Sequence, residues 1–232
     1  MSSVNLHIDQ LFIHQKDQVL LNDFSVELNA PALVILTGAN GAGKSTLLRT
    51  LAGLKKADKG VVNYNGNNLE TLDNTEIAKL LAFANSKKIE EEYIRIIDLI
   101  RLGRYPYLKV HHDVQLADDM IQLYIREMGI ESIQNKFLNE ISDGELQKAA
   151  IVRALVQDTP FLLMDEPSAF LDYPSKKHLF SLLKATAFEK NKIVICATHD
   201  VELAAKSGTH FWHLDDKTIT ISDHSIAWHI ND

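Results

Sequence analysis

The chain has 232 residues, 46% of them hydrophobic, and a formal net charge of −7; that is enough apolar material for one large domain, or a domain with a subdomain, to fold without covalent staples. Its one cysteine, Cys196 in IVICAT, excludes an intramolecular disulfide and reads as a buried thiol in a reducing compartment. The acidic balance argues against a nucleic-acid partner, because wrapping a phosphate backbone takes clustered Lys and Arg, but it leaves room for a small anion held by one loop.

The opening MSSVNLHIDQ has neither a basic nor an apolar leader region, and no apolar run reaches the length of a membrane span, so the expected setting is the cytoplasm. From Asn5 to Asn29 short β-like runs, LHIDQLFI and LNDFSVEL, alternate with polar turn residues and predict antiparallel strands. ALVIL fits a strand buried on both faces, and Leu47, Leu48, Leu51 and Leu54 recur at helical spacing after it. Between about Glu90 and Ile141 the runs IIDLIRLG and DDMIQLYIREMGI are helical, which predicts a helical insertion. Strand signals return at FLLMDEP and IVICATHD with the helical KKHLFSLLKATAFEK between them, the alternation of a parallel sheet covered by helices. HFWHLDDKTITIS reads as a terminal hairpin.

Between ALVIL and the leucine helix stands GANGAGKST: Gly38, Ala39, Asn40, Gly41, Ala42, Gly43, Lys44, Ser45 and Thr46. It satisfies G-x-x-x-x-G-K-[ST] in the strand-loop-helix context that pattern requires. Glycines let successive N–H groups turn toward phosphate oxygens, and the helix N-terminus adds its positive dipole end. Lys44 would bridge the β- and γ-phosphates of a nucleotide, and Ser45 would ligate Mg²⁺. FLLMDEP supplies the complement: Asp165, ending a buried strand, would hold Mg²⁺. Glu166, one position on and pointing elsewhere, would take a proton from the attacking water.

Two further segments separate this chain from other phosphate-loop proteins. ISDGELQKAAIVRAL puts Ser142 and Gly144 at a helix start about twenty residues before the Asp-Glu pair, and THD puts His199 just after an apolar strand. With these in register, nearly the whole chain resembles the ATP-binding cassette family. The usual signature is L-S-G-G-Q; Ser142 and Gly144 are kept, whereas Asp143 and Glu145 depart from it. By itself ISDGE is a helix cap.

The resemblance implies an α/β fold: a P-loop, RecA-like core with an N-terminal antiparallel β subdomain (1–86 and 146–232) and an inserted helical subdomain (87–145). It implies an ATPase using ATP and Mg²⁺, in which two copies pack head to tail and ATP on one phosphate loop is closed over by Ser142 and Gly144 of the other. His199 would contact the γ-phosphate and orient water with Glu166, and Asp172 in SAFLD matches the loop that communicates across the dimer. The glutamine that usually joins core to helical subdomain is missing: Ser86 aligns with it, Asn85 precedes it, and either offers an oxygen to Mg²⁺. For the adenine-stacking residue, Phe12 and His14 both lie in the right region; spacing favours His14, and Phe12 reads equally well as core. Asp143 adds negative charge near where a phosphate must dock, but its side chain can point away while the signature's backbone N–H groups remain, so the expected effect is reduced tolerance to a second acid there and not loss of activity. His111 and His112 in KVHHDV lack further ligands at matching spacing and read as a solvated loop.

IRLGRYPYL, Ile100 to Leu108, lies where permease helices dock in this family and is similar to the L-G-R-x-P segment of ATPase subunits that import iron-siderophores, haem and vitamin B12. The implied partners are a second copy, integral membrane permease subunits and, indirectly, a substrate-binding protein, with the chain peripheral on the cytoplasmic face of the membrane. The competing expectation is a soluble cassette ATPase serving a cytosolic assembly such as iron–sulfur cluster building.

Overall fold

The computed structural model describes residues 4–16, 18–85, 93–107 and 114–223. The chain opens with strands β1 (Asn5–Gln15), β2 (Gln18–Asn29) and β3 (Ala32–Thr37), then helix α1 (Lys44–Leu51) and strands β4 (Lys59–Tyr64) and β5 (Asn67–Asn68). Helix α2 (Asn74–Leu80) leads into β6 (Leu81–Asn85), and helices α3 (Ile96–Arg101), α4 (Val114–Glu127) and α5 (Asp143–Val156) follow. The remainder alternates: β7 (Phe161–Asp165), α6 (Tyr173–Glu189), β8 (Ile193–Ala197), α7 (Val201–Ala205), β9 (His210–Asp215) and β10 (Thr218–Ser222). Among the described residues these strands form a four-stranded sheet, β2-β1-β4-β5, and a six-stranded sheet, β10-β9-β3-β8-β7-β6. In the larger sheet β9, β3, β8, β7 and β6 run parallel, and β10 returns antiparallel on β9 as the predicted hairpin.

The continuous apolar runs of β3, β7 and β8 have a direct cause in the packing. Leu33, Ile35, Leu162, Met164, Val194 and Cys196 face one way, into a core shared with α3, α4, α5 and α6. Their alternates, Val34, Leu36, Phe161, Leu163, Ile193 and Ile195, face the other way, against α1 and the antiparallel sheet. A strand covered on both sides has no polar face to display. Cys196 sits inside the first core, where burial pushes its thiol well above the ordinary range, so it is the inert side chain expected.

Three strands escaped the sequence reading: β4, the two-residue β5 and β6. KGVVNY forms β4, and Tyr64 at its end is buried under an edge-on Phe161 ring, 4.5 Å between centroids, with its hydroxyl donating to the Leu51 carbonyl at 2.7 Å. LAFAN forms β6, started by a helix that Asp73 and Glu76 cap reciprocally. Leu54, predicted to continue the stripe of α1, lies beyond the end of that helix with its side chain exposed.

Residues Leu102–Tyr107 form a 3-10 helix pressed onto α5. A Cβ on Gly103 would stand 2.3 Å from the Arg153 carbonyl oxygen and 2.8 Å from a Val156 methyl. Arg104 donates to the Val156 carbonyl at 3.0 Å, satisfying an orphan acceptor at the end of α5, and lays its guanidinium 4.4 Å from the Tyr107 ring centroid. The Gly-Arg pair is therefore a docking device for α5, while Tyr105 stays exposed. Leu108, His111 and His112 lie outside the described residues. Substituting Gly103→Ala drives a methyl into backbone; the expected loss is about 1–3 kcal/mol, with a melting temperature lower by roughly 2–4 °C per kcal/mol. An unchanged thermal transition would mean that this contact is looser than described.

Candidate functional site: the phosphate loop and the strand ends around it

The C-terminal ends of the parallel strands converge on one edge of the sheet, and the loops that leave them carry the chemistry. The loop leaving β3 turns through positive φ at Gly38, Gly41 and Gly43, the last of these serving as N-cap of α1 at φ 112°. A side chain at Gly38 would also meet the Leu214 carbonyl at 2.4 Å. Lys44, the first residue of α1, is buried and curls back: its ammonium donates to the carbonyls of Gly38 at 2.7 Å and Ala39 at 3.1 Å. Burial pulls its pKa down, and the carboxylates of Glu166 and Asp165 oppose that pull.

Ser45 donates its hydroxyl to Asp165 Oδ1 at 3.0 Å, joining the phosphate loop to the end of β7. Asn85, last residue of β6, is in ladder register with Asp165. These oxygens are the hard, few-ligand set that suits Mg²⁺, which keeps several waters and takes the rest of its shell from phosphate. No cluster of three or more His, Cys, Asp or Glu residues able to hold a metal occurs among the described residues. Ser86, the residue aligned with the missing glutamine, lies outside them.

Glu166 turns away from Asp165, as its position one residue further predicts. It does so through φ +52°, the left-handed region that a non-glycine residue occupies at a cost on the order of 1–3 kcal/mol. The surrounding structure holds it there: its N–H donates to the Ala197 carbonyl at 3.0 Å, and its Oε2 accepts from the His199 N–H at 3.3 Å. Its buried Oε1 makes no hydrogen bond but stands 3.2 Å from His199 Nε2. Burial raises the carboxyl pKa, against the lowering pull of His199 and Lys44. Lys44 Nζ is itself 3.3 Å from His199 Nε2, so ammonium, imidazole and carboxylate meet around one point. Beneath them, buried Ser168 and Thr198 hydroxyls 3.0 Å apart tie the loop after β7 to the loop after β8, and Thr198 Oγ1 also accepts from the Asp200 N–H. This network had no signature in the sequence.

The segment 142–145 belongs to a different place. Ser142 caps α5, and its N–H and hydroxyl both engage Glu145: N–H to Oε2 at 2.8 Å, hydroxyl to Oε2 at 2.8 Å, with Glu145 N–H returning to the serine oxygen at 3.2 Å. Those bonds to Ser142 hold the Glu145 carboxyl below its usual range, so it is ionised. Asp143 is exposed, and the acid that engages the serine is Glu145. Gly144 is required by a close approach, because its Cβ would lie 2.7 Å from the Phe170 carbonyl oxygen, and Gln147 donates to the Pro167 carbonyl at 3.2 Å. Asp172 caps α6 through the Ser175 N–H at 2.9 Å, with Phe170 and Tyr173 exposed on either side at 64% and 65%.

At the far edge of the loop, Thr46 donates to Gln15 Oε1 at 3.2 Å, which brings the end of β1 against the first turn of α1. Leu11 and Ile13 are fully buried; Phe12 and His14 fall on the outer face of the strand, so Phe12 is not core but lies under the Lys59 ammonium at 5.7 Å. One chain thus gathers Lys44, Ser45, Asp165, Glu166 and His199, with His14 at their margin, and pairs the Ser142 side chain with Glu145.

The family model described as ABC transporter matches residues 21–169. An uncharacterized ABC transporter ATP-binding protein of Methanocaldococcus jannaschii is 33% identical, over 95% of this chain and 74% of that protein. An achromobactin transport ATP-binding protein of Dickeya dadantii is 30% identical, over 90% and 78%. A dimeric ATP-binding cassette solved in a post-hydrolysis state with ADP and Pi shares the fold, with TM-score 0.82 and 21% identity over 94% of this chain and 98% of that one. With the match extending from the middle of β2 past Glu166, the chain belongs to the ABC transporter family and is one of its ATPases.

Proposed function

We propose that this ATPase powers an importer for iron-siderophore, haem or cobalamin-type cargo, acting as a head-to-tail dimer on the cytoplasmic face of a membrane beneath permease subunits that a substrate-binding protein supplies. The observation that carries the ATP chemistry is the convergence of Lys44, Ser45, Asp165, Glu166 and His199 in one chain while Ser142 stands apart. The cargo class is supported by the achromobactin relative and by the likeness of IRLGRYPYL to the L-G-R-x-P segment. No helix among the described residues is long and apolar enough to cross a membrane.

In this reading residues Gly38 to Thr46 cradle the phosphates, and the Lys44 ammonium exchanges its carbonyl partners for phosphate oxygens. Ser45 and Asp165 hold Mg²⁺, with Asn85 or Ser86 in the place of the usual glutamine; the ion, when bound, neutralises charge on the β- and γ-phosphates. Glu166 accepts the proton of the attacking water, its basicity raised by burial, and His199 orients water and γ-phosphate together. Ser142 and Gly144 of the second copy close over the γ-phosphate, so ATP favours the closed pair more than ADP does, and Asp172 lies between the two sites. The division into a core (1–86 and 146–232) and a helical subdomain (87–145) belongs to the same reading.

Replacing Glu166→Gln removes the base and keeps the shape. Turnover is expected to fall roughly 10²–10⁴-fold, and ATP with Mg²⁺ should hold two copies together in size-exclusion chromatography; a variant that stays monomeric sinks the dimer mechanism. Reconstitution with a partner permease should raise ATPase activity, and indifference to permease would point to the cytosolic-assembly reading instead. A second substitution probes the acid at Ser142. In the Glu166→Gln background, Glu145→Gln keeps an acceptor for the cap and removes the charge, so the ATP concentration giving half dimerisation should drop about fivefold, the weight of roughly 1 kcal/mol between like charges 4 Å apart in water.

A further inference from the structure

The end of β1 is clamped more firmly than an exposed strand terminus requires. Its ladder with β4 stops at the Phe12–Lys59 pair. Beyond that, charged side chains from the loop after α1 replace the ladder: Asp58 Oδ2 accepts the His14 N–H at 2.6 Å, and the Lys55 ammonium donates to the His14 carbonyl. The Asp58 N–H returns to the Phe12 carbonyl at 3.0 Å. The same Asp58 Oδ2 lies 3.4 Å from His14 Nδ1, so one edge of the ring is turned to the carboxylate while 39% of the side chain stays open to solvent. The His14 N–H bond is the largest influence holding the Asp58 carboxyl below its usual range, so it is charged. Next door, Gln15 takes the hydrogen bond of Thr46 in the first turn of α1. The helix that begins at the phosphate loop is thus tied to residues 14–15 from its first turn and again from the loop beyond its end.

We propose that Asp58, assisted by Lys55, is a positioning residue that holds the His14 ring as a platform for the nucleobase of the bound nucleotide. The inference rests on the reading of Gly38 to Thr46 as the phosphate site. An aromatic ring half-exposed beside that loop offers its face to a flat base, and a ring already held at both backbone groups and one edge loses little freedom when the base stacks. Asp58 and Lys55 act on the platform through the His14 backbone and ring edge, not on the phosphates themselves. Forty-four residues separate Asp58 from His14, which is why no sequence spacing reports the link.

Two ligands separate base from phosphate: ATP and inorganic tripolyphosphate, each titrated calorimetrically with Mg²⁺ into the full chain. His14→Ala and Asp58→Ala should each weaken ATP about tenfold, the scale of one base–aromatic stack, and leave tripolyphosphate unchanged. The double variant should bind ATP no worse than His14→Ala alone, because both act through one ring. Asp58→Asn, which keeps an oxygen for the His14 N–H, should recover most of the affinity, and Lys55→Met should weaken ATP selectively if Asp58→Ala folds poorly. The proposal fails if Asp58→Ala binds ATP normally, or loses ATP and tripolyphosphate in parallel as a merely structural strap would. Lys44→Ala serves as the separate check: it should lose both ligands, and retention of both would overturn the phosphate-loop reading and this inference with it.

Discussion

The parallel ladder β3-β8-β7-β6 is the constraint from which the site follows. Because both faces of these strands are buried, their register is set by which alternate residue enters which core, and a slip of one residue would exchange the two sets. In the register adopted, Asp165 stands opposite Ala197 on one side and Asn85 on the other, and its carboxylate meets Ser45. The apolar packing of Leu163, Ile195 and their neighbours therefore fixes the position of a carboxylate they never touch.

Strain is concentrated just beyond those strand ends. Glu166 adopts a left-handed backbone that its own chemistry disfavours, and Phe170 does the same four residues later with φ +62°. Both lie in the loop between β7 and α6, which buried Ser168 braces against Thr198. The left-handed turn sends consecutive acids apart, Asp165 to Ser45 and Glu166 to His199, so two carboxylates in sequence serve two different neighbours. Preorganisation of this kind would keep Glu166 aimed without rearrangement in the general-base role proposed for it.

Helix α5 links two regions that the primary structure keeps far apart. At its start Gly144 lies against the Phe170 carbonyl, and near its end the Arg153 carbonyl lies against Gly103, each contact closer than any side chain allows. The helix is thus wedged between backbones near both ends, with Ser142 and Glu145 at its start and the 102–107 segment against its last turns. At its start the Ser142 hydroxyl and N–H are committed to an ionised carboxylate, so any anion that docks there competes with Glu145 for the same donors.

The sequence by itself determined the phosphate loop, the acids that end β7, the buried strands and the helical stretch before α5, because each is a local pattern: glycine spacing, a continuous apolar run, or a 3.6-residue period. It also located Ser142 and Glu145, whose cap is a contact three residues long. Strands β4 and β6 were not legible, since KGVVNY and LAFAN are short and become strands only by pairing with β1 and β7. Only the tertiary structure decided that Phe12 faces outward, that Glu166 is strained toward His199, that Ser168 braces Thr198, and that Asp58 holds His14. Those are contacts between residues distant along the chain, and their energies depend on distances that no local pattern encodes.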